Sequence, residues 1–114
     1  MATKLGAGTI DIELDGLKVS LRPTLLACQT LSRQNGGLME AIRRVGNLDV
    51  DTITNVILLG SQAEGQEAEE LPEKIFQAGV GTVAPYCTRF LLGVASGGRI
   101  PGAKEQEERP QKAS

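Results

Sequence analysis

The chain has 114 residues, 12 basic and 14 acidic side chains, a formal net charge of −2 and no histidine. This charge gives no electrostatic reason to bind nucleic acid or an anionic membrane, and the absence of histidine excludes Ser–His and Cys–His nucleophilic catalysis. Hydrophobic residues make up 40% of the chain but aromatic residues only 3%, so we expect one small core of mainly aliphatic side chains.

The N-terminal part of the chain predicts a β-hairpin over about 8–22. Apolar and polar residues alternate on both sides of Asp15-Gly16, a dipeptide that favours a type I′ turn because it tolerates positive φ at both positions. Such a turn fixes the strand register. The expected cross-strand pairs are Ile10 with Leu21, Ile12 with Val19, Leu14 with Leu17, and Glu13 with Lys18 on the opposite face.

The rest of the chain predicts short helices that cover the apolar face of the hairpin. Thr24 is a candidate N-cap and Gly36-Gly37 a stop for the first helix, and Asp49 or Asp51 begins the third. The expected helices span about 24–35, 38–45, 50–63, 72–78 and 82–96. Their expected buried residues are Leu25, Cys28 and Leu31; Leu38, Met39, Ile42 and Val45; Ile53, Val56 and Ile57, with Leu59 as a further candidate; Ile75 and Phe76; and Val83, Cys87, Phe90, Leu91 and Val94.

Two prolines set the expected starts of the last two helices. Pro72 fits a first helical position, so the preceding SQAEGQEAEE is expected to be a polar connection, and Thr82 is expected to cap a fifth helix with Pro85 in its first turn.

These elements predict an α+β fold, mostly α, in which an N-terminal two-stranded antiparallel hairpin lies on about five short helices. One domain would span 8–96. Residues 1–7 are expected to form a flexible N-terminus. Residues 97–114 are expected to form a disordered tail, because this charged, proline- and glycine-containing segment buries little apolar surface.

No pattern in the sequence indicates an enzyme, a metal site or a cofactor site. The glutamates of 64–73 lack the alternation and turn glycine of a calcium loop, and Gln66 stands where a phosphate loop needs lysine. Cys28 and Cys87 lack CxxC spacing and are expected to be reduced core residues. Without an N-terminal apolar run or a membrane-length apolar segment, the expected location is the cytoplasm.

Four large apolar residues in the last third of the chain are the candidate partner-binding residues. They are Ile75, Phe76, Phe90 and Leu91. The competing interpretation is a plain core contact, which the scarcity of large side chains in this chain favours.

The stretch ELDGLKVSLRPT, followed by GGLMEAIRR, resembles the small protein encoded between the major tail protein and the tape measure in gene transfer agents and related long-tailed phages. That family is grouped with phage tail assembly chaperones and has also been labelled a tail tube protein. The resemblance covers roughly residues 8–95, although the later helices match only in length and apolar pattern. The tail after Gly97 lies outside it.

The resemblance implies a non-enzymatic factor that binds the helical, apolar tape-measure protein, keeps it soluble and leaves as tube subunits polymerise. The major tail protein and a second copy of this chain are the further expected partners. The alternative is a structural component of the tail, a tube or terminator subunit, which would be virion-associated. Such subunits resemble β-sandwiches or barrels, so strand content distinguishes the two functions. A regulator that binds another protein also fits the composition, but no motif favours it.

Overall fold

A two-stranded antiparallel hairpin lies on five α-helices in the computed structural model, which describes residues 8–99. The strands are β1 (Ile10–Leu14) and β2 (Leu17–Leu21), and the helices are α1 (Leu25–Asn35), α2 (Leu38–Gly46), α3 (Val50–Ser61), α4 (Gly65–Ala78) and α5 (Val80–Ala95). The predicted α+β, mostly α, fold class is confirmed. The flexible ends predicted for 1–7 and for the part of 97–114 beyond Arg99 lie outside the described residues.

The hairpin has the predicted register at every position. Ile10 is opposite Leu21, Ile12 opposite Val19 and Leu14 opposite Leu17. Asp15 and Gly16 have φ values of 50° and 87°, as a type I′ turn requires. The apolar face is buried against the helices, whereas the other face is exposed and carries a hydrogen bond of 2.6 Å from Ser20 Oγ to Asp11 Oδ1.

The hairpin is joined directly to α3. After β2 ends, the backbone N–H of Arg22 donates to the carbonyl of Gly60 over 2.8 Å. Gly60 is itself buried, and a Cβ at this position would lie 3.1 Å from both Leu21 Cδ2 and Phe90 Cζ. The missing side chain therefore allows β2, α3 and α5 to approach closely, which fixes the C-terminal end of α3.

A buried amide joins the first three helices. Asn35 at the end of α1 donates from Nδ2 to the Leu31 carbonyl (2.8 Å), and its Oδ1 accepts from Arg44 Nη1 of α2 (3.1 Å) and from Thr52 Oγ1 of α3 (3.5 Å). These hydrogen bonds tie the Asn35 side chain to its own helix and to both α2 and α3, so the network sets the orientation of α1 on α2 and α3.

The predicted cap of α1 is confirmed, and of the two residues predicted to begin α3, Asp49 is the cap and Asp51 lies in the first turn. Thr24 Oγ1 accepts from the N–H of Ala27 over 3.1 Å, and the Asp49 side chain accepts from the N–H of Thr52. Gly36 ends α1 in the left-handed conformation, with φ of 76°.

On α2, the pKa of Glu40 is lowered by its hydrogen bond to Arg43, with a further contribution from Arg44.

The prediction that Leu25 is buried is wrong, because α1 turns a different face to the core. Its buried residues are Ala27, Leu31 and Asn35, at a spacing of four, whereas Cys28 is only half-buried. Successive helical residues are about 100° apart, so Leu25 lies roughly opposite Ala27 and is 72% exposed.

The same geometry overturns the predicted burial of Met39 and Phe76. Helix α2 buries Ala41 and Val45, and Met39 lies about 200° around the helix from Ala41, where it is 75% exposed. Helix α4 buries Ile75, and the adjacent Phe76 is 72% exposed. By contrast, all five predicted buried residues of α5 are buried.

Helix α4 begins at Gly65, so the predicted polar connection and the placement of Pro72 at a first helical position are wrong. Pro72 lies inside the helix and is exposed. The glutamate, glutamine, alanine and leucine residues before it are strong helix formers, and the fully buried Leu71 is one turn before Ile75. Propensity and burial together outweigh the hydrogen bond that proline cannot donate.

Helix α5 begins at Val80, before the predicted cap at Thr82. Gly79, with φ of 102°, ends α4 and precedes α5, so the chain reverses at a single residue that a β-carbon would strain. The carbonyl of Gly79 accepts from the N–H groups of Thr82 and Val83. Thr82 therefore lies in the first turn, and Pro85 lies beyond it.

Candidate partner-binding surface

The described residues contain no arrangement that indicates catalysis or metal binding. Among residues 8–99, no group of three or more histidine, cysteine, aspartate or glutamate side chains could hold a metal ion. Every buried side-chain nitrogen or oxygen in this range has a hydrogen-bond partner. None of the helices in this range combines the length and apolarity needed to span a bilayer.

Three of the four predicted partner-binding residues lie in the core. Ile75, Phe90 and Leu91 have no exposed surface, so the core-contact interpretation applies to them and a partner cannot reach them in this fold. Phe76 alone among the four is accessible. The structure therefore separates Phe76 from the other predicted residues.

Two leucines that the sequence analysis did not select form the most exposed adjacent apolar pair. Leu25 and Leu26, here called the leucine pair, are the first two residues of α1 and are 72% and 66% exposed. They project about 100° apart, so they lie on different sides of the helix. The spacing of Ala27, Leu31 and Asn35 could have revealed this, because it leaves both leucines off the inward face.

Leu25 borders a groove of about 240 Å³, here called the Leu25 groove. Its walls come from the link between β2 and α1, from α1 itself, and from the end of α5. The lining residues are Pro23, Thr24, Leu25, Cys28, Val94, Gly97 and Gly98. The N–H of Gly98 donates to the carbonyl of Gly93 over 2.8 Å, which fixes the turn that closes one side.

Leu26 borders a second groove, of about 340 Å³, here called the Leu26 groove. It lies between α1, the end of α3 and the link to α4. The lining residues are Leu26, Leu58, Leu59, Gln62, Ala63 and Glu64. Ser61 holds this link in place, since its hydroxyl donates to the Leu58 carbonyl (3.4 Å) and accepts from the N–H of Ala63 (3.3 Å).

The Leu26 groove has an acidic margin. Glu64 lines the groove and is exposed, as is Glu67 one turn further along the chain. No lysine or arginine occurs between Arg44 and Lys74, a range that includes all of α3 and the first part of α4. Two exposed carboxylates therefore lie at the start of α4, one of them in the groove wall, while the exposed Arg22 is joined through its backbone N–H to Gly60 near the end of α3.

The two cysteines differ in accessibility. Burial raises the pKa of the Cys87 thiol to about 12, and its Sγ lies 3.9 Å from the Ile53 carbonyl. Cys28 is half-buried and lines the Leu25 groove. The expected core position is confirmed for Cys87, whereas Cys28 lies at the edge of the core, and both thiols are free.

We expect iodoacetamide at about pH 8 to modify Cys28 and leave Cys87 unmodified in the folded protein, because the thiolate is the reactive form and burial keeps Cys87 protonated. Mass spectrometry of tryptic peptides measures both sites. In urea, both thiols should be modified at similar rates. Equal modification in native buffer would contradict the burial of Cys87.

Comparison with known proteins gives no relative from which a site could be transferred. No protein-family model, no curated protein and no solved structure matches the chain.

Proposed function

We propose that this protein is a non-enzymatic tail assembly chaperone of a phage or gene transfer agent, which binds the tape-measure protein and assists tail tube assembly. The observation that carries the proposal is the leucine pair, two exposed leucines that each border a groove. A helix with an apolar stripe aggregates when it is naked, and a helix-in-groove contact would cover that stripe.

The energetics of such a contact are favourable. Most of the surface of the Leu25 and Leu26 side chains is exposed to solvent. Complete burial of a leucine side chain stabilises by about 1.5–3 kcal/mol, so covering either of them would contribute to binding. Part of that gain is offset by the entropy lost on association.

The sequence and the strand content support the chaperone over a tail structural subunit. The stretch from Glu13 to Thr24 and the GGL break resemble the chaperone family. Helices make up 67% of the described residues, and the described sheet has two strands, whereas a tube or terminator subunit needs several strands to close a ring. Assembly would take place in the cytoplasm of the host or producing bacterium, with the major tail protein as a second partner.

The test is co-expression with the tape-measure candidate encoded nearby. We expect the wild-type chain to bring that protein into the soluble fraction and to co-elute with it on a sizing column. A Leu25→Asp/Leu26→Asp double variant should lose this effect, because whichever of the two grooves binds the partner would then carry a carboxylate that has to be desolvated at the contact. Met39→Asp, at an equally exposed position on α2, is the matched control and should keep it.

One result of this co-expression experiment would contradict the chaperone function. If the tape-measure candidate stays insoluble while this protein forms rings or tubes by itself, the chaperone function is wrong and the structural alternative replaces it.

A further inference from the structure

We propose that the Leu26 groove is the docking site for a partner helix whose apolar stripe is flanked by lysine or arginine, and that the acidic margin selects this partner. The inference rests on the proposed function and adds to it the groove that is used and the charge of its ligand. It distinguishes the Leu26 groove from the Leu25 groove, although the two leucines are adjacent in sequence.

The Leu26 groove has ordered apolar walls. Leu58, Leu59 and Ala63 are partly buried against the hydrophobic core, so their positions are set before a ligand arrives. The link that follows them is held by the two Ser61 hydrogen bonds. Preformed walls lower the entropy that binding costs.

The Leu25 groove offers less contact surface to an apolar side chain than the Leu26 groove does. It is the smaller of the two, and glycines 97 and 98 supply one side of it with no side chain. Its lining includes no charged residue, so it provides no means of choosing between partners by charge.

The carboxylates at the Leu26 groove are complementary to the basic residues of the proposed partner helix. Glu64 is in the groove wall, Glu67 follows it by three residues, and residues 45–73 include no lysine or arginine; one exposed cation, Arg22, is joined through its backbone N–H to Gly60 near the end of α3. A lysine or arginine beside the apolar stripe of a bound helix would meet these carboxylates, whereas a glutamate there would be repelled. Each exposed pair stabilises only weakly, so apolar contacts supply most of the affinity and the charges supply the selection.

The experiment uses the full chain and two synthetic helical peptides of about 18 residues, long enough for several turns of helix. Both carry the same leucine and alanine stripe, one flanked by lysine and the other by glutamate, and fluorescence anisotropy measures their dissociation constants. We expect the lysine peptide to bind about tenfold more tightly at low salt, the sum of a few exposed pairs. The difference should shrink at about 0.5 M salt, where screening is strong.

Single variants identify the groove. Leu26→Asp should weaken binding of the lysine peptide far more than Leu25→Asp, whereas Met39→Asp, at a similarly exposed position on α2 outside both grooves, should leave it within about twofold, as for surface substitutions away from a contact. Glu64→Gln should reduce the preference for lysine over glutamate without changing the fold. The helical signal in circular dichroism and the thermal midpoint check that each variant is folded.

Three results would overturn the inference: no binding of either peptide to the wild-type chain, equal binding of both peptides, or loss of binding in Leu25→Asp but not in Leu26→Asp. These failures are separable from failure of the proposed function. If the wild-type chain solubilises the tape-measure candidate but does not discriminate between the peptides, the chaperone function stands and the groove assignment fails. If the lysine peptide binds as expected while the tape-measure candidate stays insoluble, the groove assignment stands and the chaperone function fails.

Discussion

Replacing Phe90 by alanine is expected to lower the free energy of unfolding by about 3–5 kcal/mol, whereas replacing Phe76 by alanine should change it by less than about 0.5 kcal/mol. Phe90 is fully buried in α5 and lies against the bare backbone of Gly60, so truncation leaves a cavity where α3, α5 and β2 meet. Phe76 is mostly in water and has little burial to lose. Urea unfolding followed by circular dichroism measures both variants.

The Phe90→Ala loss is large relative to the stability of a small domain, typically about 5–15 kcal/mol. We therefore expect the Phe90→Ala variant to be partly unfolded at temperatures at which the Phe76→Ala variant is still folded. The two substitutions remove the same atoms, so each is the control for the other. Equal effects on the free energy of unfolding would mean that Phe90 does not have the core position described above.

The hairpin and α5 could be predicted from the sequence because local and long-range signals agree there. Asp15-Gly16 specifies the turn and register, and the strict alternation on each side specifies the face. In α5 five apolar residues recur at helical spacing from Val83 to Val94, and this long stripe indicates the inward face although the adjacent Leu92 is also apolar and is 40% exposed. In the hairpin and in α5, the local sequence therefore indicates the same inward face that tertiary packing buries.

The inward faces of α1, α2 and α4 could not be predicted because each offers adjacent apolar residues. Leu25 and Leu26 precede Ala27, and Phe76 follows Ile75, so several apolar stripes fit each segment. Which stripe is buried depends on the neighbours, for example on the polar network around Asn35 that fixes α1. Large side chains were expected inside, yet the small Ala27 and Ala41 face the core where helices approach closely.

The candidate site was missed for the same reason. Its main residues, Leu25 and Leu26, look like core residues by composition, and only the packing of α1 shows that they are exposed. The groove beside Leu26 joins residues that are far apart in sequence, since α1 meets the end of α3. A single sequence specifies the helices but not this contact between them.

Replacing Asp15-Gly16 by Val-Val is expected to lower the free energy of unfolding by about 2–4 kcal/mol. Both positions have φ between 50° and 87°, and the left-handed region costs an L-residue with a β-carbon about 1–2 kcal/mol, more for a branched one. Asp15→Asn with Gly16 retained is the matched control, because Asn-Gly also favours a type I′ turn. This control removes the exposed ion pair with Lys74, 3.8 Å away, and should cost less than about 1 kcal/mol. Urea unfolding compares the variants.

The same substitution also tests what the hairpin does for partner binding. The N–H of Arg22 holds the carbonyl of Gly60 near the end of α3, and Leu58 and Leu59 of that end line the Leu26 groove. Loss of the turn would release this hydrogen bond and loosen the groove wall, so we expect the Val-Val variant to bind the lysine peptide more weakly even under conditions where its helices remain folded. If both the free energy of unfolding and the binding of the peptide were unchanged, the hairpin would not brace the helices at all, and the groove would have to be held by the contacts among α1, α3 and α5 alone.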